Sequence, residues 1–226
     1  MLTVAQARPS ERAEFIQKTY LHLAGAVGAF ILVEVLLFAL GVPELMLKML
    51  SGSQFAWLAI LGGFAVLGWL SRSLVAKADS VQTQYVGLGV YVLAEAIIFA
   101  PLLAIAVYFS DPSVLPTATI LTLTIFGGLT AVAFTSRKDF SFMGGVLTMI
   151  GFIAMGLIVC SILFGFSLGL WFSLAMVVFA SAAILYSTSK IMYHYTPTQY
   201  VAASLELFAA VALLFWYVLR ILSSRR

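Results

Sequence analysis

Apolar residues run along this chain in long blocks separated by short polar pieces. An α-helix needs about 20 predominantly apolar residues to cross the roughly 30 Å hydrocarbon core of a bilayer. Seven blocks meet or approach that length: residues 20–42, 54–71, 84–109, 118–135, 142–164, 168–186 and 199–219. The longest connections are the polar stretches 72–83 and 187–198, while Ser110-Asp-Pro-Ser113 and Gly165-Phe-Ser167 read as turns. The pattern predicts an all-α integral membrane protein, a seven-transmembrane-helix bundle. It divides into an N-terminal tail at 1–19, one transmembrane domain at 20–222 and a short C-terminal tail at 223–226.

Composition removes the alternatives. Of 226 residues, 63% are apolar and 9% charged, against the roughly 25% charged of a soluble domain. Mean hydropathy is +1.10, so lipid is the main solvent and the bilayer the first partner. Tyr20, Tyr85, Tyr108, Trp171, Tyr186, Tyr200 and Tyr217 fall near predicted span ends, as side chains with a polar tip and an apolar body do. Small residues four apart, Gly25/Ala29 and Gly127/Ala131, are candidates for close helix approach. There is no clear internal repeat, so an inverted-repeat transporter has no support. The first block follows Arg8, Arg12 and Lys18 as a signal peptide would. It is too long, contains Glu34 and lacks an Ala-x-Ala cleavage site, so it counts as a span.

The Lys and Arg residues set orientation. With a cytoplasmic N-terminus and seven crossings, the inner side holds Arg8, Arg12, Lys18, Arg72, Lys77, Arg137, Lys138 and Lys190, and the outer side Lys48, Arg220, Arg225 and Arg226. A re-entrant last segment would move the C-terminal arginines inside and sharpen the bias. Residues 199–219 are nevertheless long enough to cross and hold no Pro or Gly to turn on. The expectation is therefore seven full spans.

Little of the chain resembles a catalytic site. Cys160 is the single cysteine, so no intrachain disulfide can form, and the absence of asparagine removes any N-glycosylation sequon. Gly165-Phe-Ser-Leu-Gly169 matches the hydrolase Gly-x-Ser-x-Gly pattern, which requires a strand-turn-helix elbow and a histidine base. Here it joins two spans, and the only histidines, His22 and His194, belong to the opposite side. Metal-ligand spacing is absent, and the scattered basic residues do not form a nucleic-acid footprint. The expectation is a non-enzyme with no cofactor, no metal site and no nucleic-acid partner. What remains is Glu34, Glu95 and Glu206, three carboxyls inside predicted spans. Each costs on the order of 2.5–3.5 kcal/mol to insert at a helix centre, and each is read either as part of a cation path or as a neutral acid bonded to a neighbouring helix.

Several stretches together are more specific. Lys18-Thr-Tyr-Leu-His-Leu23, Asp111-Pro-Ser-Val-Leu-Pro-Thr-Ala118, Phe126, Ser136-Arg-Lys-Asp-Phe-Ser-Phe-Met-Gly-Gly145, Ile184-Leu-Tyr-Ser-Thr188 and Leu219-Arg-Ile-Leu222 resemble the Bax inhibitor-1 family of membrane proteins. The resemblance covers most of the chain and is strongest from Asp111 onward. It implies seven helices with the last central among the other six, and a cytoplasmic N-terminus. It also implies a pH-sensitive calcium leak in some members. Others are described as suppressors of cell death or as modulators of a membrane-bound ATP-dependent protease.

The resemblance also exposes a departure. Calcium-leak members carry one aspartate at the end of the sixth helix and another in the last, a pair that shares a proton and can bond an arginine of the second helix. Those positions are Ser187 and Ala210 here, while Arg72 stands where the arginine does. Glu206 precedes Ala210 by four residues, on the same helical face, and lies about 10 Å from the inner end of its helix. The expectation is that Glu206, with Arg72 and the Ser187 hydroxyl, replaces the acidic pair as gate or ion contact, with Glu95 and Glu34 as further pathway candidates. The leading functional expectation is a pH-modulated calcium leak channel. The alternative is a non-conducting regulator of a membrane-bound protease or of cell-death and stress pathways. A bacterial inner membrane is the expected location, with the endoplasmic reticulum or another internal membrane of a eukaryote as the alternative.

Overall fold

The computed structural model describes residues 3–76, 80–136 and 138–224. Lys77, Arg137, Arg225 and Arg226, which enter the charge count above, lie outside them. The described residues hold eight α-helices and no strand: α1 Pro9–Ala39, α2 Val42–Gly52, α3 Gln54–Ala76, α4 Val81–Tyr108, α5 Val114–Ser136, α6 Gly144–Phe164, α7 Gly169–Tyr193 and α8 Tyr200–Ser223. All but α2 are long and apolar enough to cross a membrane. The protein is a seven-span helical bundle, as the apolar blocks predict.

Three boundaries differ from the apolar pattern, each for a local reason. The helix α1 begins at Pro9, about three turns before the first apolar block. Its start is written in polar signals: Pro9 in the first turn, the Glu11 carboxylate accepting the Arg8 N–H at 3.3 Å, and a Glu14–Lys18 pair at 2.7 Å one turn apart. Gly41, at φ +68°, reverses the chain after α1, and Pro43 opens α2. At eleven residues α2 is about 16 Å long, too short to cross, and it buries Pro43 and Leu50 while Lys48 stays exposed. The helix α7 continues to Tyr193 through residues that read as a polar loop. Ala180, Ile184, Ser187, Thr188 and Ile191 are all buried at helical spacing, so the stripe continues even though its chemistry becomes polar.

The last helix is central. It packs against α1, α3, α4, α5 and α7, and it runs unbroken for about 36 Å, enough for a full crossing. It shares the centre with α4, whose most apolar 18 residues are 72% buried against 50% for α8 and 11% for α5 and α6. The helix α6 packs at the periphery against α3 and α7, and its Ala154 joins a small core cluster with Met176 of α7 and Tyr217 of α8.

Among the glycines the tightest surroundings are at Gly87, where α4 meets α3. A Cβ there would lie 2.6 Å from Val75 Cγ2 and 2.9 Å from the Ser71 carbonyl oxygen. Gly25 and Gly127, the small residues that the spacing singles out, have nothing within 4 Å of that position. Spacing alone did not identify which small residues serve contact.

Candidate functional site

The α7–α8 connection folds a polar cluster back over the first turns of α8. Gln199 accepts from the Thr196 N–H at 3.0 Å and from its hydroxyl at 3.2 Å, which tightens the turn. The Tyr195 carbonyl accepts the N–H of the fully buried Val4 at 2.9 Å, so the N-terminal segment clamps the same loop. This places the Tyr195 hydroxyl 2.6 Å from Glu206 Oε2, to which it donates. Lys190, in the last turn of α7, donates to Glu206 Oε1 at 3.0 Å. Both carboxylate oxygens are thus engaged, in a setting where Glu206 is 18% and Lys190 34% exposed. The Lys190 ammonium also lies 5.5 Å from the Tyr186 ring centre and 5.9 Å from that of Tyr195. Burial pushes the Tyr195 phenol above its ordinary pKa, the negative charge of Glu206 adds to the rise, and Arg72 opposes it.

Arg72 therefore reaches the electrostatic surroundings of Glu206 through Tyr195 and does not pair with the carboxylate directly. Its guanidinium carbon lies 5.9 Å from the ring centre of Tyr91 on α4. The buried Tyr91 hydroxyl meets Glu95 one turn further along the same helix, with Arg72 close enough to act on both. The sequence-selected residues Glu95 and Arg72 thus share the surroundings of Tyr91, while Arg72 acts on Tyr195, the phenol bonded to Glu206, only through its charge. Ser187 is buried on α7 one turn before Lys190. Ala210 is buried one turn beyond Glu206, within the apolar core made with Ala212 and Leu214.

Glu34 lies elsewhere. It is five residues from the end of α1 at the opposite face of the bundle, buried, with neither oxygen hydrogen-bonded. Gly165-Phe-Ser-Leu-Gly169 forms the α6–α7 turn, with Gly165 at φ +71°, Gly169 at φ +68° and Ser167 exposed. On the N-terminal face the connection at 138–143 is clipped to α7. Ser189 donates to Asp139 at 3.1 Å and accepts the Phe140 N–H at 2.8 Å.

Lys190 and Tyr195 are the residues that sequence reasoning missed. Lys190 entered only as an orientation charge, because 187–198 read as a loop. Ser187, Thr188 and Ile191 continue the stripe of Ala180 and Ile184, and following that stripe would have kept Lys190 on the helix. Nothing in the sequence pointed to Tyr195, whose place depends on the fold of a six-residue connection.

A sequence model of the family described as "Inhibitor of apoptosis-promoting Bax1" matches residues 12–226. The chain is 30% identical over 172 residues to Bax inhibitor 1 of Schizosaccharomyces pombe, a stretch covering 74% of this chain and 61% of that protein. It is 38% identical over 110 residues to an uncharacterized protein of Pseudomonas aeruginosa, covering 48% of this chain and 49% of that one. The aligned stretches thus span half to three fifths of the length of these relatives. No solved structure matches the chain.

Proposed function

Because the chain belongs to the Bax inhibitor family of multi-pass membrane proteins, we propose that it provides a gated leak pathway for cations, calcium foremost. The gate is the cluster around Glu206 at the N-terminal face. One observation carries the reading: the Glu206 carboxylate, on the central helix, already holds a cation, the Lys190 ammonium 3.0 Å away. Lys190 acts as a tethered counter-ion that closes the site, and an entering cation competes with it. Glu95 has no such ion pair; Arg72 acts on it through charge alone. A buried charge without its partner is costly, which favours exchange of one cation for another over simple loss. As in the calcium-leak members that the resemblance points to, the leak is proposed to be pH-modulated.

Arg8, Arg12, Lys18, Arg72 and Lys138 gather on the N-terminal side, while Lys48 and Arg220 belong to the other. This favours a cytoplasmic N-terminus, and the Pseudomonas relative favours a bacterial inner membrane. The test is purified protein in vesicles loaded with a calcium dye, where entry faster than in protein-free vesicles is expected. A second reading rests on Ser187 and Ala210, which leave the family's acidic positions without a carboxylate. On that reading the protein is a non-conducting regulator of a partner such as a membrane-bound protease, and no flux at any pH would favour it.

A further inference from the structure

At the Glu34 end the bundle is open between α1 and α5, whereas nearer the start of α1 Tyr20 packs on Phe126 and Phe134 of α5 at 6.4 and 6.3 Å between ring centres. No Cα of one helix comes within 8 Å of the other among the described residues, and α4 and α8 form the floor between them. The resulting cavity has a volume of about 530 Å³ and is lined by Phe30, Phe99, Phe208 and Phe215 around Glu34 and Thr122. That volume falls in the range of small-molecule sites.

Of the three polar side chains that line this cavity, Glu34, Thr119 and Thr122, the first and last are unusual. Glu34 is 6% exposed and Thr122 3% exposed, and neither carboxylate oxygen nor the Thr122 hydroxyl has a hydrogen-bond partner. Thr119 and Thr124, on the same helix, turn their hydroxyls onto the carbonyls of Leu115 and Ile120 at 2.9 and 2.8 Å. Thr122 does not, although the same bond is open to a threonine on a helix. A buried carboxyl and hydroxyl left without partners on the two sides of one cavity are costly, and a ligand that supplies donors removes that cost.

We propose that this cavity binds a long-chain amine, with its ammonium head on Glu34 and Thr122 and its hydrocarbon tail among the phenylalanines. Three features select that class. The lining contains no Lys, Arg or His, so its charge complement is a cation, and a phosphate-bearing lipid would bring an unmatched anion. An ammonium has three donors for three acceptors, the two Glu34 oxygens and the Thr122 hydroxyl, whereas an alcohol has one. Ile31, Val35 and Leu123, which also line the cavity, are 54%, 60% and 58% exposed, so the mouth faces acyl chains and admits a ligand dissolved in the bilayer. Glu34 lies about 7.5 Å from the end of α1, a depth at which a cationic head stays near the membrane surface while its tail remains in the hydrocarbon.

The experiment measures binding of tetradecylamine and of tetradecanol, equal in chain length, to the full-length protein in nanodiscs, with empty nanodiscs subtracted. Saturable, one-to-one amine binding about tenfold or more tighter than that of the alcohol is expected, as the loss of one charge-assisted contact would give. Glu34→Gln is expected to remove the preference and leave alcohol binding unchanged. Leu103→Trp, which fills the cavity from α4, is expected to weaken both. Equal binding of amine and alcohol by the unaltered protein, an unchanged preference in Glu34→Gln, or displacement of the amine by lysophosphatidylethanolamine at equal concentration would each overturn the proposal. The comparison of the two ligands on the unaltered protein decides the matter even if a variant fails to fold.

Discussion

Glu206 on α8 and Lys190 on α7 form a 3.0 Å ion pair in a setting where neither side chain is fully exposed, and Tyr195 occupies the second carboxylate oxygen at 2.6 Å. The pair ties the last turn of α7 to the first turns of the central helix, sixteen residues further along the chain. Lys190→Met leaves the carboxylate with only the phenol. It is expected to lower stability in detergent by about 1 kcal/mol, between the value of an exposed pair and that of a buried one. Measured with Glu206→Gln in a double-mutant cycle, the two substitutions should be non-additive. Additive losses would show that the pair carries no coupling.

The approach of α3 to α4 gives a sharper packing test. An alanine at Gly87 would press its methyl against Val75 and the Ser71 carbonyl, a backbone atom that cannot rotate away. Gly87→Ala should cost about 1–3 kcal/mol as an overpacking substitution. The same change at Gly127, with open space around it, should cost nothing measurable or stabilise the helix slightly. Thermal unfolding of the two variants side by side checks the contrast, and equal melting temperatures would contradict it.

At the opposite face, the Tyr108 hydroxyl donates to Glu44 of α2. That bond, followed by one from the residue's own backbone N–H, holds the Glu44 carboxyl below its ordinary value of 4.5. A lowered pKa in the folded state contributes stability that is present above about pH 4.5 and lost as pH falls through the folded value. Hydrogen exchange along α2 should therefore be slow at pH 7 and quicken below about pH 4 once intrinsic rates are corrected. Tyr108→Phe should move the onset upward. An onset that does not move would mean that the bond does not hold α2 in place.

The number and type of spans were legible because a membrane helix needs a long apolar block, and 63% apolar residues in seven blocks admit little else. What escaped was written in other signals. The early start of α1 depends on Pro9, Glu11 and the Glu14–Lys18 pair, and the surface helix α2 is too short for a span count to register. The continuation of α7 hides behind Ser187, Thr188, Ser189 and Lys190, whose polar chemistry masks a helical stripe. Among site residues, the cost of burying a carboxyl identified Glu34, Glu95 and Glu206. It could not supply their partners, because Lys190 and Tyr195 meet Glu206 only when a turn clamped by the N-terminal segment brings them there.

In the proposed pathway Glu206 is the ion contact and Lys190 the cation that closes it. Calcium entry into dye-loaded vesicles, measured across pH for the unaltered protein, Lys190→Met and Glu206→Gln, tests it most directly. Faster entry is expected for Lys190→Met and entry at the protein-free level for Glu206→Gln. A Glu206→Gln protein that conducts with the rate and pH dependence of the unaltered chain would contradict it.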